Sequence, residues 1–236
     1  ETHNQVSEKE LVDAFTTLKG AAVSDLVLDM RYNGGGLLYI ASELSYMIAG
    51  PEQTSGKIFE RPQYNDKTPQ QPAIPFRNTA YGFSSPNPVR AGTPLPYLGL
   101  KRVTVLTTSG TCSASEAVIN GLRGADVQVD VIGSTTCGKP YGFTPVPNCG
   151  TTYFSIEFKG VNNKGFGDFS DGLAPTCQVA DDLSRPLGDR SEGLLAAALT
   201  YRETGTCPPA SRARQVPMEI VRHPAKEISI YTKPRQ

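Results

Sequence analysis

The chain has 236 residues, enough for one large α/β domain with a true core. Its 23 basic and 23 acidic residues leave a formal net charge of zero, which excludes capture of nucleic acid or an anionic membrane through bulk charge. No apolar run approaches the roughly 20 residues that a membrane-crossing helix requires.

The first segment, ETHNQVSEKE, is polar and leads almost directly into a helix, as in a chain cut from a longer one. Residues 7–19 read as that helix. Ser7 and Glu10 have capping-box spacing, and Leu11, Ala14, Phe15 and Leu18 fall on one face. DLVLDM (25–30) reads as a buried strand, RYNGGG as a sharp turn, and 37–50 as an apolar helix ending at Gly50. Helix, strand, turn and helix in this order point to an α/β sheet protein.

Residues 51–100 break the rhythm. They hold nine of the 19 prolines and read as a long Pro-rich insertion with little regular structure, packed through its aromatics. Regularity returns with a strand at 102–106, a helix at 113–124 and a strand at 127–133. TYFSIEFKG (152–160) alternates with period two, with Phe154, Ile156 and Phe158 on one face. A last helix is expected near 191–203, and a short strand at 227–232 in a Pro/Arg-rich tail.

SGTCSASE (109–116) joins the strand to the helix. Ser113 and Glu116 have the spacing of a helix capping box, which accounts for a serine there without chemistry. The same position puts Oγ at the positive end of a helix dipole, beside N–H groups that lack intrahelical partners. The N–H of Ala114 is then a natural oxyanion donor. Ser109 lies upstream and Ser115 along the helix, so Ser113 is the best-placed nucleophile of the three. A nucleophilic serine needs a base. His3 and His223, the two histidines, stand near the chain ends outside any motif. Lys139, in STTCGKPYGF, follows the next strand, and residues past the ends of successive parallel strands gather at one sheet edge. Burial would lower its pKa toward the neutral form. In NGGG (33–36), Gly34 or Gly35 is placed to offer a second oxyanion donor. The motif fits neither the dinucleotide fingerprint nor a Walker loop.

The five cysteines form no CxxC pair and no Cys/His cluster, so no metal site is expected. Cys137 with Cys149, and Cys177 with Cys207, would make reasonable disulfides and leave Cys112 free. Five reduced thiols are the alternative, and spacing does not decide the pairing.

Four segments in this order resemble the C-terminal processing (tail-specific) serine peptidases. DLVLDMRYNGGG is similar to their strand and glycine turn, and SGTCSASEAVINGL to their nucleophile motif with its serine at Ser113. VIGSTTCGKPYGF is similar to the strand and loop with their lysine at Lys139, and SDGLAPTCQVADD to a late Asp-Gly segment. The resemblance spans roughly residues 8–200. It implies a crotonase-like (ClpP/crotonase-type) α/β core and a Ser/Lys dyad that hydrolyses protein or peptide substrates through an acyl-enzyme, without cofactor or metal. It also implies a periplasmic or extracellular setting in a bacterial envelope, and a PDZ domain ahead of the core that is not visible here. On this reading residues 1–207 form the catalytic core and 208–236 a C-terminal extension. The sequence departs from the family at Cys112, where an alanine is usual, and at Phe143, where a polar residue usually orients the lysine. The competing readings are a catalytically silent module binding a hydrophobic ligand or peptide on the same fold, and an acyl-CoA enzyme using the glycine turn as its oxyanion hole.

Overall fold

The computed structural model describes residues 2–83 and 86–209. The tail from 210 onward, with the strand expected at 227–232, and His223 lie outside the described residues. Four parallel strands form the central sheet. β1 (Val27–Asp29) pairs with β4 (Arg102–Thr107), β4 with β5 (Gln128–Gly133), and β5 with β10 (Cys177–Gln178). Val103, Val105, Val129 and Val131 enter the larger core cluster, whereas Leu106 and Ile132 belong to the smaller one. Both faces of the sheet are thus buried, as parallel sheets require. Helices α2 (Leu38–Thr54) and α3 (Ala114–Gly124) cover the first face, and α4 (Gly193–Thr204) the second. This is the α/β layering that the alternation of elements predicts.

Helix α1 (Ser7–Gly20) forms where expected, but the Ser7/Glu10 capping box does not. Asn4 Oδ1 accepts from the N–H groups of Val6 and Ser7 instead, because the chain enters the helix through Asn4. Helix α2 bends at Gly50, whose φ of 69° is non-helical, and adds a turn through Pro51 before ending.

Residues 51–100 carry more regular structure than their prolines suggest. β2 (Ile58–Tyr64) pairs antiparallel with β3 (Ile74–Pro75) on one side and β9 (Phe158–Val161) on the other, and β6 (Tyr141–Gly142) completes a second four-stranded sheet. Pro62 sits opposite Gly160 within this ladder. The period-two run at 152–160 is not one strand. Its first residues belong to β8 (Thr151–Tyr153), which forms a hairpin with β7 (Val146–Asn148), and its last open β9. Between them Phe154 packs against Phe143 with ring centroids 5.3 Å apart, and Ile156 is exposed.

Candidate active site

The C-terminal ends of β1, β4 and β5 deliver three loops to one edge of the parallel sheet. These are the glycine turn at 33–36, the turn at 108–113 and the loop at 134–139. Ligand chemistry in open α/β sheets concentrates at such an edge.

Ser113 stands between the second loop and α3, with φ 57° and ψ −117°. A non-glycine residue at positive φ is strained, and such strain persists only where the surroundings impose it. Ser113 and Glu116 do sit in capping-box register, and Glu116 Oε2 accepts from the Ser113 N–H at 2.9 Å. The reciprocal half, from the Glu116 N–H toward the Ser113 side chain, completes the expected capping box. Ala114, the first helical residue, is fully buried behind it.

The glycine turn packs directly against this serine. Gly35 has a φ of 101°, and a Cβ there would lie 2.7 Å from Ser113 Cβ and 2.8 Å from the Cys112 carbonyl oxygen. Only glycine allows both the conformation and the approach. Asn33 fastens the two loops: its carbonyl oxygen accepts from the N–H of Cys112 at 3.1 Å and the hydroxyl of Ser115 at 3.0 Å. Its side-chain oxygen takes the N–H of Gly35 at 3.1 Å, so that N–H is engaged. Gly36, rather than Gly34 or Gly35, lines the adjoining cavity.

Lys139 opens into the same cavity as Ser113. Burial lowers its pKa, and the charge of Glu116 opposes that shift. Its Nζ lies 4.6 Å from the centroid of the Phe143 ring, so the residue at the family's polar position holds the ammonium by a cation–π contact. The cavity measures about 620 Å³ and is walled by Tyr39, Tyr64, Phe143 and Phe158, among others.

Besides a backbone hydrogen bond from the Cys137 N–H to the Thr111 carbonyl at 3.0 Å, two ties hold the lysine loop against the serine turn. The first is Glu116, which is fully buried. Its Oε1 accepts from Thr136 Oγ1 at 2.5 Å and the N–H of Gly138 at 2.8 Å, while its Oε2 takes the N–H groups of Ser113 and of Lys139 at 2.8 Å. The second is a disulfide between Cys112 and Cys137, with Cα atoms 5.1 Å apart. This corrects the expected pairing. Cys112 is not free, and Cys149 stands exposed and unbonded at the tip of the β7–β8 hairpin, away from Cys137. The expected Cys177–Cys207 bridge is present and fastens the end of α4 to β10. Cys112, Glu116 and Cys137 gather within 4.8 Å, but the sulfurs are joined to each other and the carboxylate is taken by four donors. They are not an available metal-ligand set.

Two more residues complete the frame, and the sequence reading missed both. His3 is buried, with Nε2 3.3 Å from Ser115 Oγ. Its backbone takes the N–H of Leu37 and donates to the Gly35 carbonyl, which pins the glycine turn from behind. Burial lowers its pKa to about 4, so it is neutral at pH 7. No motif surrounds it in the sequence. Arg31 is buried at the end of β1, donating to Asp29, Asp181 and Glu192. Glu192 in turn caps α4 through the N–H groups of Leu194 and Leu195.

A parallel α/β sheet whose strand ends bring a positive-φ serine and a half-buried lysine to one cavity defines a class: α/β proteins with a polar site at the strand ends. Within that class the chain belongs to peptidase family S41, whose model matches residues 1–179. Among solved structures it is similar to a protein assigned as an S41 protease from Bacteroides fragilis NCTC 9343, with 26% identity and a TM-score of 0.74. The match covers 87% of this chain and 53% of that one, so the chain spans about half the length of its relative. It also shares its fold with a photosystem II D1 C-terminal processing protease, at 22% identity and a TM-score of 0.55 over 76% of this chain and 40% of the other. No curated protein matches the sequence.

Proposed function

We propose that this chain is the catalytic part of a serine endopeptidase of the C-terminal processing type, with Ser113 as nucleophile and Lys139 as general base. One observation carries the reading. Ser113, held at positive φ at the start of α3, lines the same cavity as Lys139, whose burial favours its neutral form.

In this reading neutral Lys139 takes the proton from Ser113 Oγ as Oγ attacks the scissile carbonyl carbon. The oxyanion is met by the N–H of Ala114 and by the glycine turn, where Gly36 faces the cavity more directly than Gly34 or Gly35. Collapse breaks the C–N bond, and the proton on Lys139 leaves with the amine. Water then attacks the Ser113 ester, with Lys139 again accepting its proton, and releases the acid. Phe143 replaces a polar orienter with an aromatic face that positions the ammonium of the resting state.

The same reading takes residues 1–207 as a crotonase-like core, with 51–100 as its insertion, 208–236 as an extension, and further domains, a PDZ domain among them, in the longer protein. The disulfides favour an oxidising compartment such as the bacterial periplasm or the extracellular space. The test is digestion of unfolded casein by the full-length protein beside its Ser113→Ala and Lys139→Ala variants, each checked for folding. Both variants are expected to lose at least about 10³-fold in rate. Equal cleavage by folded Ser113→Ala would return the serine to the role of a helix-terminal residue. An inert wild type would direct attention to ligands of the cleft.

A further inference from the structure

The cleft contains an acidic side chain that the proposed chemistry does not use. Glu60 stands in β2 and is 6% exposed. With Pro62 and Tyr64 it occupies the strand face that lines the cavity of Ser113 and Lys139. The neighbouring strand makes room for it: a Cβ on Gly160 would fall 2.3 Å from Glu60 Cδ. Among the described residues its carboxylate accepts no hydrogen bond and enters no ion pair. Burial alone acts on it, raising its pKa to about 7.

The two cations on the cavity wall are held elsewhere. Lys139 lies over Phe143, and Arg77 lies 3.9 Å from Glu43 and over the rings of Tyr81 and Tyr39. A buried carboxylate without a donor is costly, and the cost is relieved by a partner that brings both charge and N–H groups. The walls specify what carries that partner. The Tyr64 and Phe158 rings, with centroids 5.3 Å apart, offer apolar faces along which an alkyl stem can lie.

We propose that Glu60 is a specificity-determining residue that receives a lysine or arginine side chain of the polypeptide substrate in the cavity beside Ser113. The proposal rests on the peptidase reading for the identity of the occupant, and the two can be tested apart. First, casein is digested with the full-length protein and with Glu60→Gln, and the new termini are read by mass spectrometry. Lys or Arg should be at least fivefold enriched at one fixed position from the cut bond in the wild type, and the enrichment should vanish in E60Q. Second, full-length Ser113→Ala is titrated calorimetrically with acetyl-Ala-Ala-Lys-Ala-Ala-amide and with its norleucine counterpart. The lysine peptide should bind at least tenfold more tightly, and adding Glu60→Gln should bring the two within twofold. Equal or undetectable binding of the two peptides, or an enrichment that survives in E60Q, overturns the proposal. A wild type that leaves casein intact while Ser113→Ala keeps the lysine preference would remove the peptidase reading and leave the cationic subsite standing.

Discussion

Replacing Glu116 with Gln tests whether this carboxylate assembles the site. Each of its oxygens accepts two donors: Thr136 and Gly138 on one side, Ser113 and Lys139 on the other. An amide keeps one oxygen and puts an NH₂ in place of the second, so two N–H or O–H donors would face another donor. Hydrogen bonds to a charged group contribute about 1.5–3 kcal/mol each, so two lost bonds cost about 3–6 kcal/mol. In a domain of this size each kcal/mol moves Tm by about 2–4 °C, which gives a fall of about 6–24 °C. The Cys112–Cys137 bridge is untouched by the change, so the loops remain tethered while losing their registry. Casein cleavage at a temperature where the variant is folded should therefore fall at least tenfold. Circular-dichroism melts and the casein assay read the two effects separately. A Tm within 2 °C of wild type together with full cleavage would refute the role of Glu116 as the tie between the two loops.

Three further outcomes are expected. Changing Cys112 and Cys137 together to Ala removes a cross-link between residues 25 apart, which lowers stability by about 3.5 kcal/mol in chain-entropy terms and shows in the urea midpoint. Glu43 has its pKa raised to about 8, by burial first and with Glu8 contributing, so the folded state holds a proton that the unfolded chain releases near pH 4.5. Its stabilising effect is present below pH 4.5 and fades as pH climbs to 8. The difference in stability between Glu43→Gln and wild type should thus move in the variant's favour across that window, and a pH-independent difference would contradict it. Phe143→Leu removes the ring beneath Lys139 and lowers the pKa of the ammonium, so the acidic limb of kcat/KM should move down by about half a pH unit.

The sequence was legible wherever local pattern and tertiary role coincide. The strands at 102–106 and 127–133 carry Val103, Val105, Val129 and Val131 at period two, and the helix between them opens on the capping box of Ser113 and Glu116. That Ser113 and Lys139 line one cavity follows from parallel topology, which puts successive strand ends on one edge. What stayed hidden depends on which distant loops meet. The partner of Cys112 is set by the approach of two strand ends, not by spacing along the chain. Glu116 reads as one half of a capping box, and its other three bonds are made to a loop 20 to 23 residues later. Pro62 disguises β2, and the alternation through Phe154, Ile156 and Phe158 reads as one strand where the chain leaves β8 and only then enters β9.

The sulfur bridge beside Ser113 also imposes a timetable. Until Cys112 and Cys137 are joined, nothing covalent holds the serine turn to the lysine loop, and the Glu116 carboxylate and the Cys137–Thr111 backbone hydrogen bond must keep them in place. A newly made chain in a reducing compartment therefore carries a looser candidate site than the same chain after oxidation. On the peptidase reading, full cutting power arrives only with transfer to an oxidising space, and the proteins around the ribosome are spared in the interval.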